Sequence, residues 1–172
     1  MPNNYTISKA AKEQAAAIAR LINLAYEGMP DSRGWTSEGA FMDGDRIPET
    51  AVAQLLEQPG TDGFTCQAPG GDIIGFMSLE KREDHVYLGL LSVSPEVQAG
   101  GMGKHLLEFS EAYALDRGIT IIRLTVVNIR PELIAWYERK GFTATGQTFP
   151  FPVAGRPKVP LHLMEMEKRL YL

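Results

Sequence analysis

Residues 91–107, LSVSPEVQAGGMGKHLL, constrain the fold more than any other stretch of the chain. An apolar run ends at Ser94-Pro95. A glycine-rich segment follows (Gln98, Ala99, Gly100, Gly101, Met102, Gly103), and after it come residues with helical spacing. That order predicts a strand, a tight turn and a helix start. The first N–H groups of a helix have no partner within it, and they point where the helix dipole favours negative charge. The turn is therefore a candidate cradle for a phosphate or pyrophosphate. Glycines at 100, 101 and 103 let a bulky anion approach the backbone and permit positive φ.

Spacing separates the families that place glycines at such a turn. A P-loop needs G-x-x-x-x-G-K-[ST], but Gln98 stands at its first position and His105 follows Lys104. A dinucleotide fingerprint needs G-x-G-x-x-G, and Leu106 takes the place of its last glycine. The pattern that fits is Q/R-x-x-G-x-G/A, met by Gln98, Gly101 and Gly103. The upstream L-x-V-x-P is met by Leu91, Val93 and Pro95. Together these resemble the acyl-CoA-binding signature of the GNAT superfamily of N-acetyltransferases. For the glycine turn taken alone, the competing reading is a turn without a ligand.

The bulk numbers are ordinary for a globular protein. A length of 172 residues suggests one domain over residues 1–172, large enough for a real core. A formal charge of −4 argues against a general nucleic-acid binder and is compatible with an amine substrate. The single cysteine, Cys66, excludes an internal disulfide and a multi-cysteine metal site, and no metal is expected. It lies in an apolar-alternating run, residues 64–68, which suits a buried structural thiol. The amino terminus, MPNNYTISKA, lacks the layout of a signal peptide, and no apolar run reaches membrane-spanning length. A soluble cytoplasmic protein without a membrane partner is expected, with homodimerisation left open.

Periodicity predicts the elements. Residues 5–8 suit a first strand. Ile18, Leu21, Ile22 and Ala25 form one face of a helix over 10–26. Residues 28–47 read as a long loop, of the kind that is usually functional or disordered. Pro48 opens a short helix with Val52, Leu55 and Leu56. Strands follow over 63–68 and 72–80, joined by Gly70-Gly71, and a third over 85–93 after a polar turn. Residues 104–117 form a helix with Leu106, Phe109, Ser110 and Tyr113 on one face, and Gly118 lies past its end. Residues 119–127 are a β-branched buried strand. Residues 131–140 form a short helix between Pro131 and Gly141, carrying Leu133, Trp136, Tyr137 and Lys140 on one face. Strands over 142–149 and 159–168 flank a proline-rich loop. The order β-α-α-β-β-β-α-β-α-β-β implies an α/β chain of α+β type: a mixed, mostly antiparallel sheet of about seven strands with helices on both faces. That order matches the GNAT fold.

Residues 127–142, VNIRPELIAWYERKGF, resemble the second GNAT signature, a strand ending near Asn and a short helix ending in Tyr-Glu-x-x-Gly-Phe. The resemblance implies that Tyr137 lies near the acyl-CoA sulfur and protonates the departing thiolate. Taken alone, an aromatic on an apolar helix face is a core residue. Many members carry Asn seven residues before this tyrosine. Here that position is Arg130, and Asn128 stands two earlier. Asn128 is a candidate for the pantetheine arm or for capping the helix. Arg130 is a candidate for a CoA phosphate, with solvent the expected place for a lone arginine.

The same resemblance implies that the strand before the glycine turn splays from its neighbour, and that backbone groups at Leu91 and Val93, with Ser92 between them, pair with pantetheine amides. The Leu91 N–H is then the oxyanion-type donor to the thioester carbonyl. Gln98, Ala99, Gly100, Gly101, Met102, Gly103 and Lys104 form the cofactor cradle. Some relatives carry a base on this strand, where Tyr87 stands here, followed on the same face by Gly89; neither is a base at neutral pH. Glu80, Asp84 and His85 nearby, and Glu38 in the long loop, are candidate bases that read more readily as solvated charges, and a water chain to solvent serves equally well. Trp35, Glu38, Phe41, Tyr87, Phe149 and Phe151 are the candidates to line the acceptor side. The resulting expectation is direct transfer of an acetyl group from acetyl-CoA to an amine of a small molecule or peptide. The alternative is a non-catalytic acyl-CoA-binding sensor. A nucleotide hydrolase is disfavoured by the failed P-loop spacing.

Overall fold

The structure is a computed structural model and describes residues 5–27, 47–150 and 162–171. Seven strands form one sheet: β1 (Thr6–Lys9), β2 (Thr61–Gln67), β3 (Ile73–Lys81), β4 (Val86–Val93), β5 (Ile121–Val127), β6 (Thr143–Pro150) and β7 (His162–Arg169). Their spatial order is β1-β2-β3-β4-β5-β7-β6. Every neighbouring pair is antiparallel except β4 and β5. A parallel pair needs a crossover, and α3 (Met102–Asp116) supplies it. The other helices are α1 (Ala15–Glu27), α2 (Glu49–Glu57) and α4 (Pro131–Arg139).

Helices cover both faces, as the sequence implies. On one face α1 and α2 bury Ile18, Leu21, Ile22 and Val52 with Phe76 of β3. On the other, Leu106 and Tyr113 of α3 and Leu133 and Tyr137 of α4 pack with Met77, Leu79, Leu88, Leu124 and Val126. Strand alternation produces this sorting: Phe76 and Met77 are adjacent in sequence and serve opposite cores. Cys66 is fully buried in the second cluster. Burial pushes its thiol pKa up to about 11, in keeping with an inert structural thiol. No helix among the described residues is long and apolar enough to cross a membrane.

Two local departures matter for the site. The segment Pro95–Gly100 is a 3-10 helix rather than an open turn, and α3 starts at Met102, two residues before the sequence-based boundary. Gly101, at φ +77°, joins the two; a left-handed residue is what lets the chain reverse there. Secondly, β4 is bulged. Phe76 pairs with Ser92 and Ser78 pairs with Gly89, so Leu90 and Leu91 both stand against Met77. Leu90 has φ +53°, the left-handed region that non-glycine residues seldom occupy. The Ser92 hydroxyl donates to the Leu90 carbonyl at 2.9 Å and ties the bulge together.

Candidate active site

The site begins where β4 and β5 part. Their pairing is confined, among the described residues, to Val86 with Ile122 and Tyr87 with Arg123. Beyond these pairs the β4 bulge carries the two strands apart. A cavity of about 230 Å³ opens at this fork. It passes through the sheet: Leu55 of α2 and Gln58, which caps that helix, line one end, and Leu133 and Tyr137 of α4 line the other. Tyr87, Gly89, Leu90 and Leu91 of β4 and Leu124 to Val127 of β5 form its walls.

Leu91 and Tyr137 therefore share one cavity, as does Tyr87. Tyr137 is 6% exposed, with Trp136 and Phe142 edge-on against its ring. Those neighbours fix the ring plane. Ser92 and Val93 are buried on β4 beyond the bulge. The Tyr87 hydroxyl lies 3.0 Å from Oγ1 of Thr125, and its ring lies under the Arg82 guanidinium.

The glycine turn lies at the far end of β4. The ladder of α3 opens with His105 N–H donating to Gly101 O at 3.2 Å, so the N–H groups of Met102, Gly103 and Lys104 precede it. The two motif glycines have different reasons. A Cβ on Gly101 would meet nothing within 4 Å, so this glycine serves its φ and leaves open space above the backbone. A Cβ on Gly103 would lie 3.2 Å from the Trp136 ring, so this glycine serves the close approach of α4 to α3. The Met102 side chain is buried and belongs to the core; its backbone alone faces the turn. Lys104 is exposed. Open space at Gly101 beside a helix N-terminus fits a pyrophosphate. The side chains of Gln98, Ala99 and Gly100 lie outside the described residues.

Asn128 accepts a hydrogen bond on Oδ1 from His162 N–H at 3.0 Å, and its own N–H donates to His162 O at 3.0 Å. It thus clasps the end of β5 to the start of β7. It does not cap α4, whose cap residue is Arg130. Arg130 is a correction to the sequence reading. It is 3% exposed rather than solvated, and its Nε donates to Glu132 at 2.6 Å. Phe149 is 42% exposed on β6 opposite Leu163; Leu163 lines the cavity and Phe149 does not. Trp35, Glu38, Phe41 and Phe151 lie outside the described residues.

Sequence reasoning missed Gln58, Thr61, Ser78 and Thr125, which also line the cavity. Alternation alone puts Ser78 and Glu80 on one face of β3. It is the register that sets that face beside Tyr87, and register is not local information. Asp84 and His85 pair with each other at 2.7 Å outside the cavity, and this bond holds the Asp84 carboxyl below its usual range. A larger hollow of about 540 Å³ lies between Glu111, Gly141, Lys168 and Tyr171, and among the described residues none of the sequence-predicted site residues lines it.

The profile of the Acetyltransferase (GNAT) family matches residues 26–142. The chain belongs to that family. A mycothiol acetyltransferase of Streptomyces bingchenggensis is 33% identical over 86 residues, which is 48% of this chain and 27% of that protein. The match thus spans about a quarter of the relative's own length. Among solved structures, the ribosomal-protein-S18-alanine N-acetyltransferase of Escherichia coli superposes with a TM-score of 0.72 at 19% identity, covering 98% of this chain and 95% of that one. Ard1 of Thermoplasma volcanium gives 0.75 at 14% identity, covering 98% and 99%. At such identities the likeness establishes the fold alone. This GNAT chain has the strand order, the fork and the glycine turn in one continuous arrangement.

Proposed function

We propose that this chain is an acetyl-CoA-dependent N-acetyltransferase that moves an acetyl group directly to a primary amine in a ternary complex. The observation that carries the reading is the single cavity at the β4–β5 fork, lined by Leu91 on one strand and by Tyr137 from α4.

Acetyl-CoA would supply the acetyl group as a thioester. The chain's own residues bind and orient. The N–H groups of Met102, Gly103 and Lys104, with the α3 dipole, hold the pyrophosphate over Gly101. Backbone at Leu91, Ser92 and Val93 runs beside the pantetheine in the manner of an added strand. With Oδ1 of Asn128 committed to His162, any contact of Asn128 with that arm falls to its Nδ2. The Leu91 N–H donates to the thioester oxygen as negative charge grows there. The Tyr137 hydroxyl gives its proton to the departing sulfur. Holding both substrates in one cavity supplies orientation. The proton released by the amine passes to water in the cavity.

Free thiol release from acetyl-CoA in the presence of a panel of small and peptide amines tests the reading. Release that depends on the amine supports it. CoA binding without release by any amine would favour the non-catalytic acyl-CoA sensor instead.

A further inference from the structure

The cavity mixes leucine and valine with polar side chains, Gln58, Thr61, Ser78 and Thr125 among them. Among its described lining residues Glu80 is the sole charged side chain. It lies on β3 opposite Tyr87, on the α2 side of the sheet. Its partner Arg82 meets Oε2 at 3.1 Å from a side chain that is 46% exposed. Such an exposed pair contributes little and is readily exchanged. Among the described residues no hydrogen bond reaches Oε1 of Glu80. Thr61 lines the same cavity, and its buried hydroxyl has no hydrogen-bond partner among the described residues. Thr61 is only 8% exposed, and a buried hydroxyl left unpaired is costly. One carboxylate, beside a residue with an unsatisfied hydroxyl, lines a pocket whose other walls combine leucine and valine with Gln58, Ser78, Tyr87 and Thr125. That combination suits a cation on an aliphatic chain.

Where along the cavity this cation would sit follows from the strand. Leu91 is four residues beyond Tyr87, so with the bulge the Glu80 end lies on the order of 10 Å from the Leu91 N–H. That is too far for Glu80 to take a proton from the attacking nitrogen, which requires hydrogen-bond reach. It is a suitable distance for holding a second charge. An ammonium–carboxylate contact takes up about 2.8 Å. With room also taken by the thioester carbonyl at the Leu91 N–H, the remainder suits a short aliphatic spacer of about three to five methylenes at ordinary C–C bond lengths. Gly89 lies between the two ends, and a Cβ there would come within 2.9 Å of the Ser78 hydroxyl and 3.4 Å of the Tyr87 ring. Any larger residue at this position would crowd the Ser78 and Tyr87 side chains that line the cavity.

We infer that the acceptor is a linear dication: a primary amine that is acetylated near Leu91, joined by a short aliphatic spacer to a second cationic centre held by Glu80, beside Thr61. Glu80 is on this view a specificity-determining residue. The inference rests on the N-acetyltransferase reading for its first half only, because the cation pocket is a binding claim.

The test compares cadaverine (a linear diamine) with pentylamine and the zwitterion δ-aminovalerate. Thiol release from acetyl-CoA is measured for each, and calorimetry measures cadaverine binding to the CoA-bound protein. The expected result is a kcat/KM advantage of cadaverine over pentylamine of about tenfold, the worth of one charged hydrogen bond at a partly exposed site. Glu80→Gln should bring that advantage to about unity through KM, and Glu80→Lys should turn the preference toward δ-aminovalerate. Equal turnover of cadaverine and pentylamine by the unaltered protein overturns the cation pocket and keeps the acetyltransferase reading. Cadaverine binding that Glu80→Gln weakens, without thiol release, keeps the pocket and overturns that reading. Absence of cadaverine binding overturns the pocket whatever the variants do.

Discussion

The Tyr87 hydroxyl meets Oγ1 of Thr125 at 3.0 Å, two residues past the last β4–β5 backbone pair, Tyr87 with Arg123. A side-chain bond thus continues the pairing of the two strands for one step after the backbone has stopped. It braces the fork at the cavity wall. Tyr87→Phe keeps the ring under Arg82 and removes the brace. The expected cost is about 1 kcal/mol of stability, the usual net value of one such bond, read as a lower urea midpoint with unchanged slope. The acceptor KM should rise more than that for acetyl-CoA, because the brace lies on the α2 side. Equal changes in both would place the brace in the general architecture of the sheet.

The motif glycines should fail in different ways. Gly101→Glu forces a left-handed φ on a side-chain residue, which costs about 1–2 kcal/mol, but meets no neighbour within 4 Å. The protein should fold and lose CoA binding, since the carboxylate would occupy and repel the pyrophosphate position. Gly103→Ala instead presses on Trp136 at 3.2 Å. It should lower stability by about 1–3 kcal/mol through overpacking while the variant that folds still binds CoA. Calorimetry with CoA and thermal melts of both variants separate the two; retained CoA affinity in Gly101→Glu would remove the cradle.

The difference between these glycines shows what the sequence makes legible. The spacing of Gln98, Gly101 and Gly103 marks a turn at a helix start because the turn's chemistry is local. The helix faces of α1, α3 and α4 are legible because burial follows a local period. The bulge at Leu90 is not, since nothing in the run Leu88-Gly-Leu-Leu91 signals a positive φ at a leucine. Nor is the meeting of Tyr87 with Thr125, or of Glu80 with Thr61, because strand register joins residues far apart in sequence. Arg130 reads as solvated by residue type and is buried by the packing around it, with Glu132 as its partner.

Alkaline pH should unfold the protein by a route read from two buried groups. Burial pushes the Cys66 thiol from an ordinary 9.0 up to about 11. Burial and then the hydrogen bond to Asp62, 2.7 Å away, push the Tyr113 hydroxyl from 10.0 up to about 12. Both pKa values are raised on folding, so the unfolded chain loses these protons first as pH rises. Their contribution is whole below about 9 and is lost progressively as pH climbs toward 12. Urea midpoints should therefore fall above about pH 9. Cys66→Ala would leave a cavity and lower the whole curve, while flattening its first alkaline decline. A decline of the same shape in Cys66→Ala would assign it to other groups.

Tyr137 decides whether α4 contributes chemistry or only packing. Its ring is held by Trp136 and Phe142, and those contacts survive Tyr137→Phe. Only the hydroxyl goes. If that hydroxyl protonates the departing thiolate, turnover should fall by about 10²-fold, in the lower part of the general-acid range, with acetyl-CoA affinity and melting temperature little changed. The loss should shrink for acyl donors whose leaving thiol is more acidic, because a thiolate that leaves readily needs less help. A tyrosine that merely fills the core predicts near-normal turnover with every donor. The measurement must be made where chemistry limits the rate, by single-turnover thiol release, since slow product release would hide the loss. Unchanged single-turnover rates across the donor series would end the acid assignment and leave water as the proton source.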